Sequence, residues 1–193
     1  MERHQEALEA ASDLVVKNSC SFTAIALSVR THRMLELAQE PASIALAGLL
    51  LDVAESGEVS LDTFQRDPFN PDVMSVIAGC CIFMKVQDKD FPEEVKFPNE
   101  HLMRDVVAVL SAKMTCHLHN SLTRKKIPPI EKKILAIQAH RLNMYAAQYL
   151  NEDNYLARKL PETLRLLESE LALIKSRDTL NRKRHTHYDG HAS

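Results

Sequence analysis

Apolar residues recur every three to four positions along most of this chain, the spacing of helices that bury one face. Residues 3–17 bring Leu8, Ala11, Leu14 and Val15 together, and Glu2, Glu6 and Glu9 sit near the start, where acids suit the helix dipole. Ser21 caps a second helix to about Leu37, with Ile25, Leu27, Val29, Met34 and Leu37 partly periodic. Pro41 fits the first position of a third helix. That helix is apolar almost all round through Ile44, Leu46, Leu49, Leu50, Leu51 and Val53, as a central, buried helix is. Gly57 ends it, and Ser60 starts a short one. Asn70-Pro71-Asp72 combines a cap, a first-turn proline and an acid, and predicts a helix to about Lys85.

Residues 87–98 read as a charged loop bounded by Pro92 and Pro98. Asn99 caps a long helix to about Asn120, with Met103, Val106, Val107, Leu110, Met114 and Leu118 in register. Pro128-Pro129 opens another to about Leu150, for which Ile130, Ile134, Ile137, Leu142 and Ala146 are expected to form the apolar face. The polar run 151–154 breaks it, and a last helix is expected from Pro161, with Leu164, Leu167, Leu171 and Ile174. Apolar periodicity stops near Ser176.

Composition sharpens this into an all-α reading. There are 4 Gly in 193 residues and no Trp, while Ala, Leu, Glu, Lys and Arg abound, which favours helices over hairpins. The expected fold is a compact multi-helix bundle of about 7–8 helices with a disordered basic C-terminal tail. Its expected division is one α-helical domain over 1–176 and a flexible, His-containing tail over 177–193. Leu50 and Val107 lie on the most apolar faces and are expected in the core.

Charge is sorted along the chain. Residues 52–100 hold 4 Lys/Arg against 11 Asp/Glu, whereas residues 101–193 hold 16 against 9. The total of −2 hides this dipole. Such asymmetry points to an anionic partner for the C-terminal half, or to head-to-tail self-association. The basic residues gather at Arg124, Lys125, Lys126, Lys132 and Lys133, around the proline turn, and at Arg182, Lys183 and Arg184. These eight are the candidate contacts to an anionic partner. Nearby Tyr145, Tyr149 and Tyr155 read as core residues rather than base-stacking ones.

Other chemistry is weak. The segment Asp52–Phe64 resembles an EF-hand loop, with Gly57 as the turning glycine and Val59 as the apolar eighth residue. Position 3 is Ala54 and position 12 is Thr63, so two oxygen ligands that calcium needs are missing. Cys116 and His119 share a helix face, but no paired Cys-x2-Cys motif completes a zinc site. Cys20, Cys80, Cys81 and Cys116 read as small buried residues in a reducing compartment. His185, His187 and His191 belong to the tail. No nucleophile elbow and no glycine-rich phosphate loop is found. Neither cofactor nor metal is expected.

The sequence therefore suggests a non-enzymatic α-helical interaction or assembly protein, cytoplasmic or nuclear, with no signal peptide and no transmembrane segment. Its partner would be another protein or a second copy, met through the basic half. The alternative is an RNA- or DNA-associated helical protein of nucleocapsid, matrix or transcription-cofactor type.

Overall fold

The computed structural model describes residues 2–19, 21–57, 59–65, 68–87, 99–124 and 127–188, with backbone alone for residue 87 and for 178–188. Among the described residues the fold is all-α. The helices are α1 (Glu2–Asn18), α2 (Phe22–Leu37), α3 (Ala42–Glu55), α4 (Pro71–Gln87), α5 (Glu100–Thr123), α6 (Pro129–Tyr149) and α7 (Tyr155–Tyr188). A short 3-10 turn, Leu61–Gln65, lies between α3 and α4. No described helix is long and apolar enough to cross a membrane.

The helix starts follow local chemistry. Ser21 accepts a hydrogen bond from the Ala24 amide at 3.2 Å, and Asn99 accepts one from the His101 amide at 2.9 Å. These side chains satisfy donors that have no partner inside the helix. Pro41 stands one place earlier than expected, as the residue before the first turn of α3. Gly57 takes a φ of 73° after α3, a left-handed conformation that glycine adopts without strain.

The start of α7 corrects the sequence reading. The helix begins at Tyr155, and Pro161 lies inside it. Asn154 accepts from the Leu156 amide at 2.8 Å and so caps the helix seven residues before the proline. The proline removes only one internal hydrogen bond, which this cap and the packing around Leu160 and Leu164 outweigh. At the other end the backbone stays helical to Tyr188, past the expected stop near Ser176. The side chains of the expected tail from Asp178 onward, and residues 189–193, lie outside the described residues, as does the expected loop over 88–98.

Two helices organise the packing. Helix α3 touches α1, α2, α4 and α5, and α5 touches α2, α3, α4, α6 and α7. Both are buried nearly all round, and Leu50 and Val107 are fully inaccessible, as expected. On α2 the expected face holds for Leu27, while Val29 and Leu37 point to solvent. Gly48 sits where α3 meets α2. A Cβ there would run into the Leu35 side chain, so glycine permits the close approach.

A buried carboxylate staples the connections. Arg104 on α5 pairs with both oxygens of Glu40 in the α2–α3 turn, and Asn154 Nδ2 donates to Glu40 Oε1 at 2.9 Å. Three distant segments thereby share one charged centre. Breaking such a buried, hydrogen-bonded pair leaves a charge without compensation.

Leu50→Ala would remove a side chain sealed on all sides. We expect a loss of about 2–5 kcal/mol in denaturant unfolding, because α3 cannot collapse onto the cavity while held by its four neighbours. A loss below about 0.5 kcal/mol would contradict the central position of α3.

Candidate interaction surface on α5 and α6

Helix α6 does not bury the face its isoleucines suggest. Its buried residues are Lys132, Ala136, Ala139, Leu142 and Ala146. Ile130, Ile134, Ile137 and Met144 are 62%, 51%, 54% and 74% exposed. The expected apolar face therefore splits. Leu142 and Ala146 pack inward, whereas the three isoleucines form an outward stripe at helical spacing. The small alanines let α6 lie close against α5 and α7, and the bulky residues are left opposite that contact.

The basic residues split as well. Arg124 is exposed and donates from Nη2 to Thr23 Oγ1 at 3.1 Å, tying the α5–α6 turn to the start of α2. Lys133 is exposed on α6. Lys132, expected at the surface, is 3% exposed, and its Nζ lies 2.7 Å from Glu170 Oε1 on α7. Its alkyl stem fills the α6–α7 contact while the ammonium is neutralised by the carboxylate, so it is a structural residue. Lys125 and Lys126 lie outside the described residues, as do the side chains of Arg182, Lys183 and Arg184.

Beside the stripe, a groove runs between α5 and α6. It comprises two adjoining cavities of about 430 and 320 Å³ that share His117, Leu135 and Gln138. The larger is lined by apolar Phe83, Met84, Leu110, Met114 and Leu142. The smaller reaches Thr23, Leu27 and Arg124 at the start of α2. From Leu110 to Arg124 the lining covers roughly 20 Å of α5, at the usual rise of an α-helix. Tyr145 stands edge-on to Phe83 with centroids 4.9 Å apart, so it is part of the packing, as expected.

A charge cluster closes the inner edge of the groove. Lys113 Nζ lies 2.7 Å from Asp52 Oδ1 and 2.6 Å from Glu55 Oε2, and Ser28 Oγ donates to Asp52 Oδ2 at 2.9 Å. Burial alone would lower the Lys113 pKa, but the two carboxylates outweigh it and hold the ammonium protonated above its usual range. This use of Asp52 bears on the loop that resembles an EF-hand. The carboxylate at its first position already faces Lys113 and Ser28.

His117 lies at the meeting point of the two cavities. Burial, and then the Lys113 charge, lower its pKa below the usual 6.5, so its imidazole is neutral at pH 7. No described group hydrogen-bonds its ring. Cys116 is buried, and desolvation pushes its thiol up to about 11, while His119 on the next turn is exposed. Cys80 and Cys81 are likewise raised by desolvation. Among the described residues no three potential metal ligands converge. Cys20 lies outside the described residues.

The stripe is the feature that sequence reasoning missed. Its signal was present, because residues 130, 134 and 137 lie some 80–180° around the helix from 142 and 146. No protein-family model, curated protein or solved structure matches the chain.

Two measurements check this surface. The depressed pKa of His117 means that the unfolded chain takes up its proton first as pH falls. Stability from this group is thus complete above about pH 6.5 and declines as pH falls through the lower folded value. His117→Gln is expected to flatten the fall in melting temperature below pH 6.5, and an unchanged slope would refute the neutral, buried imidazole. Separately, Lys132→Glu should destabilise by on the order of 3 kcal/mol by opposing Glu170, while Lys133→Glu should stay within about 0.5 kcal/mol. Equal effects in urea unfolding would contradict the different placements of the two lysines.

Proposed function

We propose that the protein is a non-enzymatic, α-helical interaction protein that assembles with an anionic partner through the outward face of α6, the adjoining groove and the basic turn. One observation carries the reading: three isoleucines and a methionine stand exposed in a single stripe on a helix that buries alanines instead. Scattered exposed apolar residues are ordinary, but a contiguous row beside a groove is the pattern of a contact surface. Arg124 and Lys133 border it and supply the positive rim that an anionic partner meets.

The reading of an RNA- or DNA-associated protein draws on the same rim. It is weaker, because Lys132 is withdrawn into an internal pair and the exposed aliphatic stripe offers nothing to a phosphate backbone.

The test places a photo-crosslinking amino acid at Ile137, with a control at exposed Glu6, in cells that make the protein. The expected result is a discrete adduct from position 137, absent at position 6, that survives nuclease and contains a second polypeptide by mass spectrometry. An adduct lost on nuclease treatment would transfer the protein to the nucleic-acid class. No specific adduct at 137 would remove α6 as a contact surface.

A further inference from the structure

Resting on that reading, we propose that the partner docks as an amphipathic helix with an acidic end, its apolar residues on the Ile134–Ile137 stripe and in the α5–α6 groove, its acids over the Arg124 end. The groove's dimensions suit a helix. Its roughly 20 Å of length corresponds to about thirteen helical residues, enough for anchors at i, i+3, i+4 and i+7. The 430 Å³ cavity beside Met114 and Leu142 can take one large anchor side chain. The open ring nitrogens of neutral His117 can serve a polar group beside it, one as donor and the other as acceptor.

Charge selects the occupant. At the α2 end, Arg124 lines the smaller cavity, exposed Arg30 donates from Nη1 to Oδ1 of its lining residue Asn120 at 2.7 Å, and Lys133 flanks the stripe. Among the described residues Glu131 is the acid lining that end. At the other end Asp52 and Glu55 face Lys113, with Arg141 nearby, so among the described residues lining it that end carries no positive excess. A helix bearing acids at one end thus has a preferred direction in the groove.

The same charges disfavour a second copy. In an antiparallel pairing of α6 about Ile137, Lys133 of each copy would face Arg141 of the other, and like charges juxtaposed across an interface are costly. Nor does α1, the acidic helix of this chain, fit the groove. Of its exposed positions, Val16 is the large apolar one, among Glu2, Glu6, Glu9 and Asp13.

Two stapled sixteen-residue helical peptides test the proposal by fluorescence anisotropy. Both carry Leu at i, i+3, i+4 and i+7. One has Glu and the other Lys in its first two turns, and helicity is matched by circular dichroism. The Glu peptide is expected to bind at least tenfold more tightly in 50 mM salt, with the gap narrowing in 500 mM salt as screening rises. Arg124→Glu with Lys133→Glu should invert the preference. Ile134→Glu with Ile137→Glu should weaken the Glu peptide at least tenfold without changing the protein's melting temperature, since both side chains are already exposed. Equal binding of the two peptides, no binding of either, or a Glu peptide indifferent to the isoleucine variant overturns the proposal. So does a dimer in sedimentation that Ile137→Glu abolishes. A nuclease-resistant crosslink at Ile137 together with any of the peptide failures would preserve the interaction reading and reject the acidic helix.

Discussion

The ammonium of Lys113 is the fixed point of this molecule. It belongs to α5, whose flanking positions Val109, Leu110, Ala112 and Cys116 are all buried, so the charge cannot turn freely to water. An ammonium withdrawn from water costs several kcal/mol unless charges and hydrogen bonds replace its hydration. Asp52 and Glu55, three residues apart on α3, supply them from one face, and Ser28 adds α2 through the second oxygen of Asp52. This requirement fixes how far α3 can slide or rotate along α5. Apolar packing alone would not, because leucine and valine surfaces tolerate several registers. Glu40 does the same at the other end, joining the α2–α3 turn to α5 and to the cap of α7.

The groove follows from that arrangement. Helix α3 holds the Glu55 edge, α4 brings Phe83 and Met84, and α6 leans in on its alanines. Alanine allows close approach but fills little space. Leu135 and Leu142 reach only part of the way toward Leu110 and Met114, and the gap between the two helices remains open. The same alanine seam sends the large residues of α6 outward. Groove and stripe are thus two consequences of one choice of buried face.

Much of this was legible in the sequence, and the parts that were not share a cause. Ser21, Asn70 and Asn99 announced their helices, because a cap acts within three residues and needs no tertiary information. Leu50 and Val107 were legible as core because their helices are apolar on every side, so no choice of face arose. Helix α6 required such a choice. Its isoleucines satisfy helical spacing as well as its alanines do, and periodicity gives the period of a pattern without deciding which of two faces is inside. Lys132 was misplaced because its burial depends on Glu170, 38 residues away. Pro161 was misread because a proline at a helix start and one inside a helix look alike until the stronger cap, Asn154, is recognised. The basic turn was visible as composition, but its division into an internal lysine and an exposed rim was a tertiary fact.

Affinity and selectivity are divided unequally across the α6 surface. Apolar burial supplies most of the free energy of a typical contact, and it concentrates in a few anchor residues. Ile134, Ile137 and the cavity beside Met114 have that character. They discriminate poorly among apolar partners, because any aliphatic helix of suitable width would cover them. The charges have the opposite character. Arg124, Arg30 and Lys133 are exposed and screened, so each adds little to affinity. Their clustering at one end nevertheless raises the encounter rate of an acidic segment and penalises a basic one. The sorted charge of the whole chain has the same sense. The acidic stretch over 52–100 contributes Asp52 and Glu55, which are consumed in holding Lys113, whereas the basic half keeps Arg124 and Lys133 at the surface. Both poles of the dipole visible in the sequence are thus partly neutralised inside the fold, the basic one through Lys113, Arg104 and Lys132, while Arg124 and Lys133 stay exposed where the apolar stripe also lies.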